Sequence, residues 1–131
     1  MTFPAKGKLL ALDLGTCRTG VAVTDESRRI AFMRDEIEHK STEELLVELE
    51  KIITDEKIAG IVMGMPLNMS GQKTAQTEIT QEIVNTITEK FDLPTELADE
   101  RLTSIQARKT IFGKGYLDSR AAQLMLEMYL D

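Results

Sequence analysis

The apolar positions along this chain change period several times, and each change marks an element. Lys8–Leu14 reads Lys-Leu-Leu-Ala-Leu-Asp-Leu, a continuous apolar run ending in a carboxylate, which predicts a buried strand. Gly15 to Thr19 predicts a turn, Gly20–Thr24 a second strand completing a hairpin, and Arg29–Glu36 a third strand. The pattern then becomes helical. Ser41 with Glu44 forms a capping box, and Leu45, Leu49, Ile52 and Ile53 follow at helical spacing, so 42–56 predicts an amphipathic helix. Ala59–Gly64 is a short apolar run of the kind found in strands covered on both faces. Met65–Gly71 is a loop marked by Pro, Asn and Gly. Ile79, Ile83, Val84 and Ile87 place a helix over 73–90, Pro94–Ala98 predicts a fifth strand, and Ser104–Phe112 and Asp118–Leu130 predict two further helices around Gly113 and Gly115.

The order is three strands, helix, strand, helix, strand, helices. It predicts an α/β fold with a mixed sheet, antiparallel at its start and extended by parallel strands through right-handed crossovers, flanked by helices. The 131 residues suit a single domain over 1–131, without repeat or linker. In such sheets a site lies outside the carboxyl ends of the strands. Asp13, Asp99 and the Gly64–Pro66 turn all fall at predicted strand ends.

Composition excludes several classes. Apolar residues make up 42% and charged residues 29%, which excludes disorder and fibrous repeats. No apolar stretch approaches the roughly 20 residues of a membrane helix, and no secretory h-region is visible at the start. One cysteine forms no internal disulfide, consistent with a reducing cytoplasm, and one Cys with one His makes a poor zinc set. The two also lie far apart in sequence, so a Cys17–His39 nucleophile pair is disfavoured, and His39 is expected at the surface. With no Trp, two Tyr and four Phe there is no stacking platform for single strands. The net charge of −6 argues mildly against nucleic acid, but its distribution softens the objection. Residues 1–40 carry 7 basic and 6 acidic side chains, 41–100 carry 4 and 13, and 101–131 carry 5 and 3.

The candidate chemistry is acidic. Burying Asp13 at the end of an apolar strand is costly unless the charge is paired or holds a metal, and Gly15 and Gly20 allow close approach of a phosphate or metal. Asp99 and Glu100 sit next to each other in extended chain, so one of the two faces the site and the other is free to pair with Arg101. Asp118 opens the last helix, where an N-cap role would suffice by itself. Ala121 and Ala122 let that helix lie close to the sheet, which would bring Asp118 near the other acids. A carboxylate from each of three elements is the oxygen set of a hard divalent cation, and two such ions can drive in-line phosphoryl displacement. Segment 64–77 adds Asn68, Ser70, Gln72, Lys73, Thr74 and Gln76, types that contact phosphates and bases, and Arg18, Arg101, Arg108, Lys109 and Arg120 could hold a backbone.

Four segments together resemble a known family. They are Leu12-Asp13-Leu14-Gly15-Thr16-Cys17-Arg18-Thr19-Gly20-Val21-Ala22, Gly64-Met65-Pro66-Leu67-Asn68-Met69-Ser70-Gly71, Asp99-Glu100-Arg101-Leu102-Thr103-Ser104, and Asp118-Ser119-Arg120-Ala121-Ala122 with Leu124 through Leu130. In order and spacing they are similar to the YqgF family of bacterial Holliday-junction-resolvase-like proteins, also described as nucleases of pre-16S ribosomal RNA. The resemblance spans nearly the whole chain. It implies a ribonuclease H-like fold, Mg²⁺- or Mn²⁺-dependent phosphodiester hydrolysis, and a role in maturing the 5′ end of the small-subunit ribosomal RNA precursor. By motif match it implies Asp13, Asp99 or Glu100, and Asp118 as catalytic acids, with Asp13, Glu100 and Asp118 on the metal. It implies Gly15, Thr16, Arg18, Asn68, Ser70, Lys73, Arg101 and Thr103 at the substrate. Pre-ribosomal RNA is the partner favoured over a DNA junction, the protein being a monomer or homodimer in the cytoplasm with no membrane association. One departure stands out: the family's longer basic stretch before the last helix is reduced here to Phe112-Gly113-Lys114-Gly115-Tyr116. The competing readings are a DNA junction resolvase, a non-catalytic RNA-binding relative, and an ATP-binding protein of the sugar-kinase and actin type. The last shares the first hairpin but needs a second lobe.

Overall fold

The computed structural model describes residues 3–15, 17–64, 75–98 and 116–130, with the backbone alone described at 75–77 and 116–118. The strands are β1 (Lys8–Asp13), β2 (Arg18–Thr24), β3 (Ala31–Glu38), β4 (Ile58–Gly64) and β5 (Thr95–Leu97), and the described helices are α1 (Thr42–Glu56), α2 (Ala75–Lys90) and α3 (Tyr116–Glu127). The strands form one sheet in the order β3-β2-β1-β4-β5. β1 pairs antiparallel with β2, and β2 with β3, whereas β4 pairs parallel with β1 and β5 with β4. The mixed sheet of the sequence reading is therefore present. The helix expected over Ser104–Phe112 lies outside the described residues.

Alternation along the strands sorts the core into two layers. Leu10, Leu12, Val21, Val23, Ile61 and Met63 face α1 and α2, packing with Leu45, Leu49, Ile83, Val84 and Ile87. Leu9, Ala11, Ala22, Ala31 and Val62 face α3, packing with Ala122, Met125 and Leu126. The second layer is rich in alanine on both sides, so α3 sits close to the sheet, as the Ala121-Ala122 pair suggests.

Around the second and third strands, three boundaries differ from expectation. The third strand begins at Ala31, not Arg29, because a turn holds the chain until Ile30. The Asp25 carboxylate accepts from the backbone N–H of Arg29 (2.8 Å) and Ile30 (2.9 Å), and Arg28 takes a left-handed φ of 57°. The strand then runs on to Glu38, and its pairing with Arg18 and Thr19 starts β2 two residues earlier than Gly20.

α1 is capped as its sequence dictates. The Ser41 hydroxyl accepts from the Glu44 N–H at 3.2 Å, and the Glu44 carboxylate accepts from the Lys40 N–H at 3.4 Å. The helix ends at Lys57, whose φ of 54° is left-handed, and its N–H bonds the carbonyl of Ile53.

Candidate nucleic-acid-processing site

Because β1, β4 and β5 are mutually parallel, their carboxyl ends share one edge of the sheet. Asp13 stands there at the end of β1, half-buried. It shares a face with Leu9 and Ala11, the face that α3 covers. Directly beside it across the sheet lie Gly20 in β2 and Gly64 in β4. Neither flanking position carries a side chain, so the carboxylate is not walled in by its nearest cross-strand neighbours. The Leu14 N–H donates to the Gly64 carbonyl at 3.1 Å, which holds the departing chain against β4. On the far side of β4, the Ala98 N–H donates to the Met63 carbonyl at 2.7 Å.

The start of α3 is fixed to this same edge. Two β3 residues, Asp35 and Glu36, lie opposite Gly20 alone, a β-bulge between the Thr19–Ile37 and Val21–Arg34 pairs. The bulge disturbs the ladder at Val21, whose N–H donates to the buried Ser119 hydroxyl at 3.1 Å. Val21 follows Gly20, the partner of Asp13, and Ser119 follows Asp118. The Asp118 backbone is thus held beside the strand pair that carries Asp13.

The turn between β1 and β2 is equally specified. A Cβ on Gly15 would come within 2.5 Å of the Arg18 carbonyl oxygen, so only glycine fits there. Arg18 opens β2 with an exposed guanidinium 3.9 Å from Glu36 Oε1. His39 overturns the sequence expectation of a surface residue: it is only 4% exposed. Its N–H donates to the Cys17 carbonyl at 2.9 Å, and its Nε2 lies 3.0 Å from the Thr19 hydroxyl. Cys17 and His39, distant in sequence, are therefore neighbours, with the His39 ring engaged by Thr19. Burial holds the imidazole pKa below its ordinary value, against an opposing pull from Glu44. Sequence reasoning missed His39 and Ser119 because their partners lie 20 and 98 residues away. The register that pairs Arg18 with Glu38 was the one signal that could have placed His39 at the turn.

Of the residues expected at the site, Asp13, Gly15 and Arg18 are described and lie at this edge, and Asp118 is described by its backbone. Thr16, Asn68, Ser70, Lys73, Asp99, Glu100, Arg101 and Thr103 lie outside the described residues, as does the 112–115 segment. Among the described residues no group of three or more His, Cys, Asp or Glu could hold a metal ion, and of the four acids in question only Asp13 has a described side chain. Among the described residues, too, no helix is long and apolar enough to cross a membrane.

Comparison with known proteins matches residues 7–131 to the sequence model of RuvX, Holliday junction resolvase. The chain belongs to the RuvX family. This is the YqgF family that its four segments resemble. A relative from Maridesulfovibrio salexigens, described as "Putative pre-16S rRNA nuclease", is 35% identical over 131 aligned residues, covering 94% of this chain and 97% of the relative. One from Oenococcus oeni with the same description is 35% identical, covering 95% and 94%. Among solved structures, Thermus thermophilus RuvC in complex with a Holliday junction substrate superposes with a TM-score of 0.60 at 9% identity over 94% of each chain. That likeness shows a RuvC-like, ribonuclease H-like fold.

Proposed function

We propose that this RuvX-family chain is a metal-dependent nuclease that hydrolyses phosphodiester bonds in the precursor of small-subunit ribosomal RNA, acting in maturation of its 5′ end. The observation that carries the reading is the setting of Asp13. A carboxylate ends an apolar strand, glycines flank it on both neighbouring strands, and α3 is pinned beside it by Ser119. An acid so placed fits a hard divalent cation, which prefers oxygen ligands and keeps several waters. Asp13, Asp118 and one of Asp99 and Glu100, with Glu100 favoured, would hold Mg²⁺ or Mn²⁺. When bound, such an ion supplies activation of water and stabilisation of the leaving oxygen.

The chain's own residues do the rest. The Gly15 turn brings backbone close to the substrate, and Arg18 offers a fork-shaped cation to a phosphate. Thr16, Asn68, Ser70, Lys73, Arg101 and Thr103 complete the substrate contacts in this reading. RNA is favoured over a DNA junction by the descriptions of the 35%-identical relatives, and because a chain of net charge −6 suits an extended junction poorly.

The test is cleavage of precursor RNA and of a four-way DNA junction, side by side, in Mn²⁺. The wild type is expected to cut the RNA preferentially, and Asp13→Asn to abolish cleavage while keeping the wild-type circular dichroism spectrum. An Asp13→Asn variant that cuts at the wild-type rate would reject the reading, and preferential junction cleavage would transfer it to DNA.

A further inference from the structure

The β1–β2 turn is braced from outside by a single residue. Through its main chain His39 bonds the Cys17 carbonyl at 2.9 Å, and through its ring it meets the Thr19 hydroxyl at 3.0 Å. Arg18 is the residue between those two attachment points. Thr19 is fully buried and pairs with Ile37 on the α1 face of the sheet. Alternation therefore sends Arg18 to the opposite face, the face of Asp13. Along β2 it stands two residues from Gly20, the partner of Asp13. Its contact with Glu36 is long, at 3.9 Å, and on its own side half-exposed, so the guanidinium stays within reach of a phosphate.

From this geometry we infer that His39 is a positioning residue for substrate grip: by tying down Cys17 and Thr19 it holds Arg18 on the Asp13 face, where the guanidinium takes a backbone phosphate of the RNA. The inference rests on the nuclease reading above. His39 itself touches no substrate. It removes freedom from the turn in advance, so that Arg18 loses less entropy when a phosphate arrives. Thr19 is the second half of the brace, and removing its hydroxyl should act like removing the imidazole.

The experiment is a double-mutant cycle on binding of fluorescein-labelled precursor RNA, read by anisotropy with Ca²⁺ in place of the catalytic metal. Thr19→Val keeps the buried volume and removes the hydroxyl, and His39→Ala removes the ring. Each is expected to weaken binding roughly three- to tenfold, the scale of one phosphate contact. His39→Gln, which retains an amide able to reach Thr19, is expected to stay within about twofold of wild type. On an Arg18→Ala background, Thr19→Val should cost nothing further, which a purely structural defect would not reproduce. Thr19→Val carries the test if His39→Ala does not fold. Wild-type binding by Thr19→Val, or its full loss recurring without Arg18, would overturn the inference while leaving the nuclease reading intact. So would an Arg18→Ala variant that binds as wild type. Failure of the wild type to bind the RNA would remove the nucleic-acid reading itself, and this inference with it.

Discussion

Asp13 owes its setting to two glycines and one serine. Gly20 and Gly64 place no side chain at the two cross-strand positions beside it, and Ser119 anchors the helix that begins nearby. His39 and Asp25 show how single residues set the response to acid. The buried His39 ring titrates below its ordinary value of 6.5, so between that value and its own the unfolded chain binds the extra proton. The stability it contributes is complete above pH 6.5 and is lost as pH falls through the lowered folded value. Asp25 is held at about 2 by its bond from Ser27 and by the backbone N–H groups of Ile30 and Arg29. Its contribution is present above pH 3.8 and disappears as pH falls toward 2. Melting temperatures should therefore decline as pH drops below 6.5, and His39→Gln should flatten the first part of that decline. An equally steep decline in the variant would show that another group is responsible.

The individual elements follow local rules closely, and the end of α1 shows an exception that can be improved. Its start carries a capping box, and its tail is held by the Glu56 carboxylate, which takes a two-pronged bond from Arg34 at 3.2 and 2.9 Å. Its C-cap residue, Lys57, turns into left-handed space, where a Cβ is a cost of about 1 kcal/mol. Lys57→Gly is expected to stabilise the protein by up to that amount, raising the urea midpoint without changing the slope. A lower midpoint would refute this account of the cap. The same helix was legible in the sequence to the residue, since its cap and its apolar spacing are both local signals. The strands were legible as apolar runs, but β3 was displaced because the Asp25 side chain extends the preceding turn, a hydrogen-bonding choice that hydrophobic pattern does not encode. At the site, Asp13 could be read from its place at the end of an apolar strand. The β-bulge opposite Gly20, its Ser119 cap and the burial of His39 could not, since each depends on strand register or on residues brought together by the whole fold.

At the scale of the whole molecule, charge and layer order agree on where a polyanion would approach. Glu38, Glu44, Glu48 and Glu56 line a groove of about 600 Å³ between β3 and α1 together with Arg34, and the acidic excess of that wall repels phosphate. α3 lies across the other face of the sheet, and Asp13 faces that way. The acidity of residues 41–100 is thus carried in part by a helix that covers the opposite layer. The central proposal is that Asp13 and Asp118, from a strand and a helix far apart in sequence, join Asp99 or Glu100 in holding a divalent cation. The most direct measurement is the melting temperature with and without Mn²⁺ for the wild type, Asp13→Asn and Asp118→Asn. A cation bound only by the native state stabilises it by about 2.7 kcal/mol at a hundred times its dissociation constant. The wild type should therefore melt higher in Mn²⁺ and both variants should lose that shift. A shift that survives intact in either variant would contradict the claim.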